Sequence, residues 1–167
     1  MKTMKVLAAL FVAASMFSVS GCSKDEEKTV NKNDVVGSWN MTKQYVSQTV
    51  SGLTGEYASY NGTRERETEV EEGTSNVFIF GSDGSFSIVN TTPESSRTRT
   101  GTWSLSGTTV TMNVPYTEGG EPEPQQMNVD EVSGSKLVLS TRMTETTEVG
   151  GQVATLENVV KIYFDKM

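Results

Sequence analysis

The sequence predicts an all-β domain of roughly eight or nine short strands joined mostly in chain order. Three observations carry that prediction. Apolar and polar residues alternate with a period of two in runs spread over residues 37–166. Glycine-bearing turns of two to four residues separate several of those runs. No stretch of helical length shows an apolar stripe at 3.6-residue spacing.

The elements follow in order. "KNDVVG", residues 32–37, suits a single helical turn capped by Asn33 or Asp34. "GSWNMT", residues 37–42, then puts Trp39 and Met41 on one face of a strand. Residues 76–80 align Phe78 with Phe80, and residues 85–89 align Phe86 with Ile88. The "GSDG" turn between them makes a hairpin. Residues 102–106 pair Trp103 with Leu105, and Ser106-Gly107 turns the chain into Val110, Met112 and Val114. Residues 126–132 and 136–143 flank the "SGS" turn at 133–135. The last run aligns Asn158, Val160, Ile162 and Phe164 against Val159, Lys161, Tyr163 and Asp165. The inward set is therefore Trp39, Met41, Phe78, Phe80, Phe86, Trp103, Leu105, Met112, Met127, Val160, Ile162 and Phe164.

Two stretches break the rhythm. Residues 47–75 are polar and contain "RERETEVEE" from Arg64. As a strand this run would stack Glu65, Glu67, Glu69 and Glu71 on one face, where like charges repel. The expectation is an exposed ribbon or mobile loop holding at most one edge strand. "PYTEGGEPEPQQ", residues 115–126, reads as a turn-rich loop, because its prolines cannot join a central ladder. Both stretches are candidates to border a binding mouth.

The N-terminus gives an address. Lys2 and Lys5 precede an uncharged, mostly apolar run at residues 6–19, too short for the roughly 20 apolar residues of a membrane span. Its length suits a secretory signal. Val19-Ser20-Gly21-Cys22 resembles a bacterial lipobox, and Cys22 is the only cysteine in the chain. The resemblance implies cleavage before Cys22 and anchoring to the membrane through N-terminal acyl groups, several chains giving stable attachment. The following Ser-Lys-Asp-Glu-Glu-Lys run resembles the acidic signal that exports Bacteroidota lipoproteins to the cell surface. The expected organisation is a signal peptide at 1–21, an acylated cysteine and flexible tether at 22–33, and one domain at 34–167. The expected location is the outer membrane, lipid-anchored and facing outward.

Composition excludes several chemistries. The 167 residues carry 14 Lys+Arg against 21 Asp+Glu, a formal net charge of −7, and removing the lysine-bearing leader makes the balance more acidic. An acidic chain without a basic cluster argues against nucleic acid as a partner. The absence of histidine removes the commonest general base and the commonest zinc ligand. With Cys22 acylated, thiolate catalysis and cysteine-metal sites are excluded as well. Neither the Glu121/Glu123 pair nor the glutamates of 65–72 show the apolar setting that separates the two carboxyl pKa values of a glycosidase. The expectation is therefore no enzyme, no metal and no cofactor.

"VVGSW", "FIFGSDGSF", "GTWSLSGTTVTM", "VDEVSGSKLVLS" and "VVKIYFDK" occur in that order from residue 35 to residue 166. The ordered set resembles the lipocalin-like domains of Bacteroidota lipoproteins. The resemblance implies a small up-and-down antiparallel β-barrel of about eight strands, wide enough to hold one small ligand or to be filled by side chains. Strand alternation by itself leaves a β-sandwich as the alternative. In true lipocalins a Gly-x-Trp motif opens the first strand and its tryptophan plugs the barrel beneath an arginine. Gly37 and Trp39 match that motif. No arginine follows Arg142, so the partner that the resemblance implies is either missing or replaced, with Lys161 and Lys166 as the candidate replacements. Two functions fit. The first is binding of a small apolar or amphipathic ligand, with Met41, Phe86, Trp103, Met112 and Met127 as the pocket lining. The second is a protein-interaction or accessory subunit of an outer-membrane complex, docking a partner through 47–75 and 115–126.

Overall fold

The computed structural model describes residues 29–115 and 120–167. The leader, Cys22 and most of the tether lie outside the described residues, as do residues 116–119. The first element of the described residues is one helical turn, α1 (Lys32–Val35). Asn31 caps it by accepting a 2.9 Å bond from the Asn33 N–H, two residues before the earliest cap the sequence suggested. Gly37, at φ +142°, then swings the chain into β1 (Gly37–Ser51). β2 (Gly62–Glu69), β3 (Ser75–Phe80), β4 (Ser85–Thr92), β5 (Ser95–Ser106), β6 (Thr109–Pro115), β7 (Pro122–Val132), β8 (Lys136–Val149) and β9 (Gln152–Lys166) follow.

Each strand from β3 to β9 pairs antiparallel with the next, and β9 returns to β1, closing an eight-strand barrel. The closure excludes the sandwich. β2 is the ninth strand. β9 occupies one edge of β1 from Trp39 to Ser51, so β3 and β2 share the other edge. β3 takes residues 37–40 and β2 takes residues 43–50. Between those two segments the register shifts at Thr42, whose hydroxyl donates to the Tyr163 carbonyl at 3.2 Å. The bulge exchanges the parity of β1: Trp39 and Met41 face inward before it, Gln44, Val46, Gln48 and Val50 after it.

The barrel is laterally closed only at one end. β5 pairs with β6 through Thr102 and not beyond, and β7 pairs with β8 through Asn128 and not beyond. The far edge of β2 has no strand partner among the described residues. Three ribbons therefore splay at the other end: β3–β4–β5, β6–β7, and β8–β9–β1–β2. Gly101 stands where β5 leaves β6, and a Cβ there would run into the carbonyl of Asn113.

The closed end is filled. Trp39, Phe80, Phe86, Trp103, Met112, Met127 and Phe164 are buried together with Val110, Leu137 and Leu139. All twelve residues of the inward set lie in this core or pack against it. A chain of aromatic rings, Phe164–Phe78–Phe86–Phe80–Trp103, crosses it with centroids 4.9–5.7 Å apart.

Both irregular stretches hold more strand than expected. β1 runs on through Ser51, and "RERETE" forms most of β2, every residue of it exposed. The glutamates do not stack unopposed, because β1 places Lys43 against them. Its Nζ lies 3.0 Å from Glu67 Oε2. Pro115, Pro122 and Pro124 also sit within ladders. Proline is tolerated there because, among the described residues, the splayed β6–β7 ribbon is unpaired along both outer edges, so each proline lies on an edge strand.

Candidate functional site

The two ends of the barrel offer different chemistry. At the closed end α1 lies under the core, and the Trp39 indole N–H donates to the Val35 carbonyl at 2.7 Å. Lys166 sits 5.0 Å over the Trp39 ring, in the place the resemblance assigns to an arginine. Lys161 is on the outer surface, 3.2 Å from Asp130. Trp103 repeats the arrangement: its indole donates to the Gly81 carbonyl at 2.8 Å, and Lys32 lies 5.2 Å over its ring. Each tryptophan thus buries its apolar body while its one donor is satisfied.

At the open end the interior turns polar. Cross-strand partners share a face, so the register assigns each side chain. Ile88 is in the core and faces Arg99. One step outward Asn90 faces Arg97 and bonds to Asn76. On the other wall Val46 faces Arg66, and Gln48 faces Arg64. Gln48 also donates to Asn158, the one buried polar residue among those described, at 3.1 Å.

The ribbon β8–β9–β1–β2 carries a cleft of about 410 Å³ on this inward face. Val50, Leu53, Val149, Ala154 and Leu156 supply its apolar walls, and Arg64 stands at its edge. The 3-10 turn Gly55–Tyr60 roofs it. Asn61 holds that turn by bonding both the N–H and the carbonyl of Leu53, at 3.1 and 2.7 Å. Gln152 ties Thr54 to the β8–β9 end in the same way. A volume of this size is within the roughly 300–1,000 Å³ of small-molecule sites. A second groove of about 350 Å³ lies outside the barrel, where Ser140 and Lys161 both bond Asp130.

The candidate pocket residues from the sequence lie deeper than this cleft. Phe86, Trp103, Met112 and Met127 are each at most 4% exposed, in the filled end, and Met41 packs partly buried against them. The cleft is instead built by residues from the irregular stretch and from the tips of β8 and β9. Residues 48–64 of its lining fall within the 47–75 stretch that the broken rhythm marked as a candidate border of a binding mouth. The outer face of the barrel carries the ion pairs Lys43–Glu67, Lys161–Asp130, Lys136–Asp165 and Arg142–Glu157. The Glu67 carboxylate raises the Lys43 pKa above its ordinary 10.5, and a hydrogen bond to Glu65 raises that of Tyr45 above 10.0.

The geometry can be set beside known proteins. A solved lipocalin-like protein from Bacteroides uniformis is 19% identical with TM-score 0.44, covering 80% of this chain and 99% of its own. An uncharacterized Bacteroides eggerthii protein is 14% identical with TM-score 0.45, covering 79% of this chain and 98% of its own. No curated protein matches the sequence. The model of the lipocalin-like domain matches residues 35–139, from the last residue of α1 into β8. The chain belongs to the lipocalin-like domain family.

Proposed function

We propose that this protein binds one small ligand at the open end of its barrel while held on the outer bacterial surface by acyl groups on Cys22. One observation carries the binding part. The barrel is filled with aromatic core at one end and carries a partly apolar cleft of about 410 Å³ at the other. The family fold supports the same reading. The anchor rests on sequence: a short uncharged run, Val-Ser-Gly-Cys, and an acidic spacer. The reading is of a binder and assigns no reaction, in keeping with a chain that lacks histidine and has its single cysteine in the lipobox.

Native mass spectrometry of the full-length protein released gently from its membrane tests the binding. A bound molecule of constant mass supports the reading. A bare chain that also takes up none of a panel of amphiphiles removes it. Cys22→Ala tests the anchor: it should abolish incorporation of radiolabelled palmitate and leave the leader uncleaved. Label entering that variant would overturn the lipobox.

A second reading, an accessory subunit, is favoured by the edges of β2 and of the outer parts of β5 and β7, which have no strand partner among the described residues and are able to accept one from another protein. Recovery of a stoichiometric membrane protein that is lost on replacing Glu65 or Glu67 with proline would favour it.

A further inference from the structure

We infer that the ligand is an amphipathic anion, an apolar chain ending in a carboxylate or similar acid, and that its charge is held by arginines of the open end. This rests on the binding function proposed above and names the class of molecule bound.

The chain places its arginines selectively. It has five, at 64, 66, 97, 99 and 142. The register places four of them, Arg64, Arg66, Arg97 and Arg99, on the inward face of the splayed end. Only Arg142 faces outward, where it lies 3.9 Å from Glu157. The lysines of the described strands do the opposite. Lys43, Lys136 and Lys161 are paired with carboxylates on the outer face, and Lys166 covers Trp39 at the closed end.

Strand alternation thus sorts β2 into two chemistries. Its glutamates face outward toward Lys43 and Tyr45, and its arginines face the cup. The inward arginines have neither a hydrogen bond nor a carboxylate within 4.0 Å among the described residues. Of the inward acids, Glu123 sits on β7, in another ribbon, and Glu145 sits on β8, at the opposite edge of its ribbon from β2 with β9 and β1 between them. In a chain of net charge −7, four inward guanidinium groups form a local positive field set against an acidic exterior. Arginine, rather than lysine, suits bidentate recognition of a carboxylate or phosphate.

The cleft supplies the rest of the molecule's shape. Val50, Leu53, Val149, Ala154 and Leu156 offer an apolar wall, and Arg64 stands at its edge with Arg66 two residues along the same face. A chain laid on that wall would bring its acid to the arginines. A neutral chain of the same length would leave them unanswered. A free anion without a chain would leave the apolar wall wet.

Titration calorimetry of the full-length protein with dodecanoate, dodecanol and acetate tests this. Dodecanoate should bind about tenfold or more tightly than dodecanol, the difference one charge-assisted bond makes, and acetate should bind far more weakly than either. The double variant Arg64→Gln/Arg66→Gln should lose about tenfold for dodecanoate and leave dodecanol unchanged. All four positions are solvent-accessible, so the fold should survive, and Arg97→Gln/Arg99→Gln asks the same of the other wall. Arg142→Gln should change nothing. Equal binding of dodecanoate and dodecanol, or dodecanoate binding indifferent to both double variants, overturns the inference while leaving the ligand-binding function intact. Binding of none of the three overturns both.

Discussion

The two ends of this barrel are made from the same eight strands and behave as different materials. At the closed end every strand is paired on both edges, and the interior is a contiguous aromatic and aliphatic core. At the open end three ribbons part, and Gln48, Asn158 and the four arginines face inward beside the apolar wall of the cleft. The difference teaches how one antiparallel sheet supplies both a stable body and a site. Burial of apolar area fixes the first, and withdrawal of strand pairing exposes the second.

Trp39→Ala should give the largest effect, because it removes a fully buried aromatic at the closed end. A loss of about 3–5 kcal/mol in chemical denaturation is expected. A near-wild-type midpoint would show that the filled end does not hold the barrel together. Gly101→Ala probes the boundary between the two ends. The new methyl would meet the Asn113 carbonyl, so β5 and β6 must shift where they part. The expected cost is about 1–3 kcal/mol, read from the same denaturation curve.

Gln48→Ala probes the open end. It removes the donor to Asn158 and should cost only about 1 kcal/mol. A loss as large as that of Trp39→Ala would erase the distinction between the two ends. The smallest effect is expected at the β3–β4 turn. The Asp83 carboxylate accepts from the Ser85 hydroxyl at 2.6 Å and from its N–H at 2.9 Å, and these bonds hold its pKa below the ordinary 3.8. They therefore stabilise the fold above that value, and the contribution is lost as pH falls through the folded-state pKa. Asp83→Asn should lower Tm slightly at neutral pH, with the difference from wild type vanishing in acid. A difference that persists in acid would assign the effect to the turn backbone instead of the charge.

The legibility of the sequence follows the same division. In the closed half, alternation marked Trp39, Phe86, Trp103, Met112 and Phe164 correctly, since the large apolar side chains on one face of these strands meet a core. In the open half the rule inverts its meaning. Gln44, Gln48, Arg64 and Arg66 face inward, so "KQYVSQTV" and "RERETE" look like loop although both are strand. The Thr42 bulge adds to this by exchanging parity within β1, and no residue type announces it.

The sequence by itself determined the all-β class, the hairpin turns at residues 81–84 and 133–135, and twelve residues that lie in the core or pack against it. Those properties depend on local turn geometry and on apolar periodicity, both of which are written in consecutive residues. Only the tertiary structure decided that the sheet closes from β9 onto β1, that β2 and β3 share one edge of β1, and that the arginines face inward. Each of these depends on pairing between segments far apart in the chain. Register carries no local signal where the inward face is polar, because there a slip by one residue exposes nothing that water would reject.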